Sequence, residues 1–154
     1  MVFGLFKDKE SIKLAGEISK LFLEVLNILK KIPKDKLDKK NIVEIFKKKL
    51  GNDMIASMEA MHDIQIGLNE RYLSLTLSRD YSDEKTNYEK YNLSLIGIYD
   101  YQGFSIMYNS EDKKPTVGLL DMSKLYGGGK KPGKKAKVLF DEISKSNEFK
   151  TSNI

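Results

Sequence analysis

The stretch Leu93-Ser94-Leu95-Ile96-Gly97-Ile98-Tyr99-Asp100-Tyr101-Gln102-Gly103-Phe104-Ser105-Ile106-Met107-Tyr108 decides the fold class. Two runs rich in aliphatic and aromatic residues, Leu93 to Tyr99 and Phe104 to Tyr108, flank a polar tetrapeptide, as in two antiparallel strands joined by a tight turn. Asp100 in first place and Gly103 in last suit a type I turn. Toward the N-terminus, Ile64, Ile66 and Leu68 alternate, and so do Leu73, Leu75 and Leu77 beyond Asn69-Glu70, which predicts another hairpin. The polar residues from Asp80 to Asn92 read as a surface loop or a short irregular helix.

Before residue 64 the period changes from 2 to about 3.6. Leu14, Ile18, Leu21, Phe22, Val25, Leu26, Leu29 and Ile32 form a wide apolar stripe, predicting a helix from Lys9 to Ile32 that Pro33 ends. A second helix starts at Asp38 as N-cap, carries Ile42, Val43, Ile45, Phe46 and Leu50, and stops at Gly51. Asn52 and Asp53 can cap a third, with Met54, Ile55, Met58 and Met61 as core rather than partner groove. Beyond the hairpins, Val117, Leu119, Leu120, Met122 and Leu125 suggest a short helix from Gly118 to Tyr126, capped by Asp121. Ala136 to Phe140 fits a strand or a helix start, and residues 145–154 are expected to fray. The expected architecture is one α/β domain, with N-terminal helices packed on a mixed sheet of two hairpins plus a C-terminal strand. It divides into a helical part (1–63), an α/β part (64–143) and a tail (144–154).

The 154 residues contain no cysteine and one histidine, His62. This excludes disulfide scaffolds, thiolate metal sites and cysteine nucleophiles, and leaves multi-histidine metal sites without ligands. His62, behind Met58 and Met61, reads as structural. No apolar run is long enough for a membrane span, and Lys7 interrupts the start that a secretory signal would need. A soluble, cytoplasmic protein without membrane contact is expected.

Charge is unevenly spread. Residues 1–50 hold 13 lysines and 7 acids, residues 51–121 hold 6 basic residues and 12 acids, and residues 122–140 hold 6 lysines and no acid. In the first block opposite charges interleave at helical spacing, as on a solvated helix face. The unmixed block, by contrast, coincides with a glycine run: Asp121-Met122-Ser123-Lys124-Leu125-Tyr126-Gly127-Gly128-Gly129-Lys130-Lys131-Pro132-Gly133-Lys134-Lys135. Gly127, Gly128 and Gly129 can converge their N–H groups on an anion, and Lys130, Lys131, Lys134 and Lys135 supply the positive charge. A polynucleotide backbone is the ligand that this charge density suits. A solvated lysine loop is the other reading of the same residues. Gly128 to Lys134 also satisfies seven positions of a nucleotide-binding P-loop. Lys135 stands where a Ser or Thr hydroxyl would hold magnesium, however, and Pro132 removes an N–H donor, so NTPase activity is not expected. Tyr81, Tyr88, Tyr91, Tyr99, Tyr101 and Tyr108 are candidate stacking platforms for unpaired bases, with Tyr108 and Tyr126 singled out as near the loop. Arg71 and Arg79 flank a predicted strand, where salt bridges to Asp80, Asp83 or Glu84 compete with phosphate contact.

The region 93–143 resembles the DHHA1 domain that follows the catalytic module of DHH phosphoesterases such as RecJ nucleases. Leu93 to Asp100 and Phe104 to Ser110 look like that domain's hairpin, Asp121-Met122-Ser123 like its helix start, and Leu125 to Gly129 like its glycine loop. Pro132-Gly133 looks like the loop's continuation and Ala136 to Phe140 like the final strand. Lys130 replaces the family's loop histidine, and Asn109 stands where arginine is usual. No Asp-His-His triplet is present, so the resemblance implies a binding domain without a hydrolytic partner domain. It further implies an accessory protein of DNA replication or repair, similar to stand-alone RecJ-like partners of GINS and MCM proteins in the replicative helicase. The expected function is therefore non-catalytic binding of single-stranded nucleic acid, without a metal or cofactor. Two alternatives stand beside it: a protein-interaction module whose acidic middle binds a basic partner, and the binding subunit of a DHH-type nuclease.

Overall fold

The computed structural model describes residues 2–51, 57–58, 63–66, 73–79, 87–121 and 133–152. The first helix, α1 (Val2–Lys31), starts earlier than its apolar stripe. Ala15, Ile18, Phe22, Val25, Leu26 and Leu29 are buried along one face at spacings of three and four. Its last turn carries Lys30 and Lys31, where the helix dipole favours cations. After Pro33 and a 3₁₀ turn (Lys34–Lys36), α2 spans Lys39–Leu50 with Ile42 and Phe46 buried. Asp38 caps it by accepting the Asn41 N–H at 2.9 Å, and Gly51 closes it at φ 68°, as the sequence predicts.

Among the described residues seven strands follow in sequential order: β1 (Ser57–Met58), β2 (Asp63–Ile66), β3 (Leu73–Arg79), β4 (Tyr91–Tyr99), β5 (Gln102–Asn109), β6 (Thr116–Asp121) and β7 (Lys150–Thr151). The first six pair antiparallel and β7 joins β6 in parallel, so the sheet is mixed. Between β6 and β7 runs α3 (Lys135–Ser144), which packs on β4, β5 and β6 and against α1. Leu75, Leu77, Leu93, Leu95, Phe104, Ile106 and Val117 are sealed on the covered side of the sheet. The chain is thus α/β, with both predicted hairpins present as β2–β3 and β4–β5.

Several expectations give way. The β4–β5 turn is a two-residue connection, because Tyr99 pairs with Gln102 and Asp100 and Tyr101 both have positive φ, 48° and 64°. That is type I′ geometry, whose twist matches the flanking strands better than type I does. The helix predicted from Gly118 is strand β6 as far as Asp121, and Asp121 pairs with Gln102 rather than capping a helix. A four-residue apolar run carries no decisive period, and the open edge of β5 supplies the hydrogen bonds that settle it. Residues 122–126 of that prediction lie outside the described residues. Ala136 to Phe140 is helical and not a final strand: Ala136, Leu139 and Ile143 bury one stripe. The C-terminal strand is instead β7, inside the tail expected to fray. Phe149 anchors it, with its ring 6.4 Å from that of Phe22, while the Lys150 and Ser152 N–H groups donate to the Pro115 and Val117 carbonyls. Met58 lies in β1, paired with Asp63, where a third helix was predicted. Met54, Ile55, Met61, His62, Arg71 and Asp80 to Thr86 lie outside the described residues.

Two predictions follow from this packing. A Cβ at Gly97 would lie 2.5 Å from Phe104 Cε1 and 2.7 Å from Leu73 Cδ2, with Phe104 fully buried. Removing a strand glycine gains about 0.5–1 kcal/mol in backbone entropy, whereas overpacking costs about 1–3 kcal/mol. Gly97→Ala should therefore lower the denaturant midpoint. In addition, burial pushes the Tyr91 phenol well above its ordinary value of about 10, and neighbouring Tyr108 adds to the rise. Below pH of about 10 Tyr91 is neutral in both states; above it the unfolded chain loses the proton and the folded chain keeps it, so stability falls as pH rises. Tyr91→Phe should flatten this alkaline loss in thermal melts compared with the unsubstituted chain.

Candidate nucleic-acid interface

Helix α3 begins inside the lysine-rich stretch. Lys134 is its N-cap and Lys135 its first residue, with Lys137 in the same turn, and that turn holds no acidic residue and no capping side chain. Helix N-termini present unpaired N–H groups and a positive partial charge, so ammonium groups there work against the dipole, by about 0.3–1 kcal/mol each. An arriving anion reverses the sign of that interaction.

The lysines differ in how free they are. Lys134 is exposed and Lys135 half-buried, with the Lys135 ammonium 4.5 Å from the ring centroid of Tyr99. Ring-face contact is not charge neutralisation, and among the described residues no carboxylate is ion-paired with Lys135. Lys137 reaches Asp141 at 3.0 Å, an exposed i,i+4 pair worth only a few tenths of a kcal/mol. The helix start is fixed by Gly133, whose N–H donates to the Asp100 carbonyl at 2.8 Å. A Cβ at Gly133 would lie 2.5 Å from Asp100 Cβ, so this approach of two backbones requires glycine. The β4–β5 turn and the end of β6 therefore share one rim of the sheet with the start of α3, and that rim also carries the carboxyl group of Asp100.

Of the residues predicted to bind phosphate, Lys134 and Lys135 stand together at this helix start. Gly127, Gly128, Gly129, Lys130, Lys131 and Tyr126 lie outside the described residues. Tyr108 is placed elsewhere: it is only 4% exposed and pairs with Leu93, six residues along β5 from the turn, about 20 Å from the rim. Its ring lies 6.2 Å from that of Tyr91, and the Lys30 ammonium stands 5.3 Å from its centroid. Tyr88, Tyr91 and Tyr99 are buried as well, which withdraws them as stacking platforms, while Tyr101 is half-buried and Tyr81 lies outside the described residues. The Lys135–Tyr99 contact was not anticipated, although the stripe Ala136, Leu139, Ile143 could have located the helix that makes it. Among the described residues no three His, Cys, Asp or Glu side chains group to hold a metal ion, and no helix is long and apolar enough to cross a membrane.

No family model matches the chain, and no curated protein or solved structure proves similar to it.

Charge at the helix start gives a prediction that separates stability from binding. Lys134→Glu replaces an unfavourable cation with a favourable anion and should raise stability by about 0.3–1 kcal/mol at low ionic strength, fading with added salt. Thermal melts at two salt concentrations measure it, and a melting temperature lowered by the substitution would contradict the electrostatic account.

Proposed function

We propose that the protein binds nucleic acid through the phosphate backbone, without catalysing a reaction on it, and that the start of α3 with the glycine and lysine stretch before it makes the contact. The observation that carries this reading is a helix N-terminus bearing Lys134, Lys135 and Lys137 with no acid in its first turn. Such an arrangement is unfavourable for the free protein and favourable once a phosphate sits on the helix end. The wider charge pattern supports it. Residues 9–51 carry 12 lysines against 6 acids and residues 133–152 carry 5 against 3, so both helical segments are net basic. A phosphate backbone is recognised by such a field rather than by base contacts.

Preference for single strands loses the support of the buried tyrosines and rests on the loop alone. The narrower setting, an accessory of DNA replication or repair working beside GINS- or MCM-type proteins, is proposed on the DHHA1 resemblance. Two elements of that resemblance, the helix start at Asp121 and the strand after Ala136, fall differently in this fold.

Fluorescence anisotropy with a labelled single-stranded oligonucleotide tests the binding. Four phosphate contacts, from Lys130, Lys131, Lys134 and Lys135, give a slope of log affinity against log salt of roughly −3. The pair Lys134→Glu and Lys135→Glu should weaken binding and make the slope shallower by at least about 1. Binding that ignores salt, or a doubly substituted protein that binds unchanged, would refute the assignment. A duplex of the same sequence run alongside reports strandedness.

A further inference from the structure

We infer that Tyr101, at the tip of the β4–β5 turn, stacks against an unpaired base of the bound strand and so gives the protein a preference for single-stranded nucleic acid. This role rests on the phosphate contact proposed for the start of α3 and extends it from the backbone of the ligand to its bases. Of the described tyrosines, Tyr88, Tyr91, Tyr99 and Tyr108 are buried and Tyr101 is partly exposed. Its backbone is the unusual part. Tyr101 has φ 64° at the second position of a type I′ turn, where Asp-Gly or Asn-Gly is the ordinary choice, and a bulky side chain at positive φ is an outlier.

The chain uses glycine elsewhere under the same demand. Gly51 closes α2 at φ 68°, almost the φ of Tyr101, and Gly133 stands where a Cβ would meet Asp100 at 2.5 Å. The left-handed region costs a residue that carries a Cβ and costs glycine nothing, so a tyrosine in the turn's glycine position raises the energy of the free protein. Residues held in this way cluster at ligand clamps and active sites, where the side chain gives a reason to keep the strain. Directly behind the turn, Tyr99 pairs with Gln102 and Ile98 with Gly103, so the ring is carried on a hydrogen-bonded hairpin rather than on a loose loop.

The ring's position selects its ligand. The carbonyl of Asp100, the residue before Tyr101, accepts the Gly133 N–H at 2.8 Å, and Lys134 and Lys135 follow Gly133. Tyr101 thus lies one residue from the contact that fixes the helix start. A nucleotide joins phosphate and base covalently, so a strand whose phosphate sits on that helix end brings a base to the same rim. Every base offers a π-face, and an aromatic ring beside a basic site is the sequence-tolerant arrangement by which single strands are held. In a duplex the bases are already stacked on their neighbours, and the ring gains nothing there.

Anisotropy with two labelled strands of equal length, an oligothymidylate and the same sugar–phosphate backbone without bases, tests the stacking. The unsubstituted chain should bind the oligothymidylate about 5- to 140-fold more tightly than the abasic strand, the factor for one stacked base. Tyr101→Gly, which suits φ 64°, should lose that discrimination while keeping its affinity for the abasic strand, and Tyr101→Phe should retain both. A glycine variant that still discriminates, or one that loses affinity for the two strands alike, overturns the inference and leaves the phosphate contact standing. A chain that binds neither strand overturns both. Should the glycine variant fail to fold, the absence of native tryptophan allows a second measurement. Tyr101→Trp places a single indole at the turn, and the oligothymidylate should quench its fluorescence where the abasic strand does not. An equal response to the two strands would likewise overturn the inference.

Discussion

One constraint organises this molecule: the apolar side of the β4–β5 hairpin must be covered, and α1 and α3 are the elements that cover it. Leu93, Leu95, Phe104 and Ile106 are sealed from solvent, as are Phe22, Val25 and Leu139 of the helices. Burying side chains of this size gains about 1.5–3 kcal/mol each, far more than any single polar contact here supplies. The glycines serve the same end, since Gly97 lies beneath the ring of Phe104 and no other residue leaves room for it.

The position of the candidate interface follows from that covering. To lie across β4, β5 and β6, α3 has to start at the rim formed by the β4–β5 turn, and the Gly133 to Asp100 hydrogen bond holds it there. Its lysines consequently project from an edge of the sheet rather than from the middle of a helical surface. The geometry unites a helix dipole, Lys134 and a ring-bound Lys135 at one place, beside the Asp100 turn.

The hairpin read from residues 93–108 is present, and the two segments after it take other forms than the sequence reading gave them. Residues 93–109 form two paired strands in the expected places. The segment around Asp121 then extends as a strand, and the segment after Lys135 coils as a helix. Both were short apolar runs whose sequence admits either form, and each took the form that its neighbours required: an unfilled sheet edge for β6, an uncovered sheet face for α3.

Local physical chemistry was sufficient where a signal repeats or a cap is chemically specific. The long stripe of α1, Asp38 and Gly51 at the ends of α2, and the alternation of both hairpins were legible from the residues alone, because period and capping act within a few positions of each other. So was the concentration of lysine between residues 122 and 140. Tertiary structure decided the rest. It buried Tyr88, Tyr91, Tyr99 and Tyr108, drew Phe149 onto Phe22 and so held the tail in the sheet, and set the turn at Asp100-Tyr101 to the twist of its strands. Sequence near a residue states what it can form; which surface it must cover depends on chain that folds back from far away, and that is a property of the assembled core.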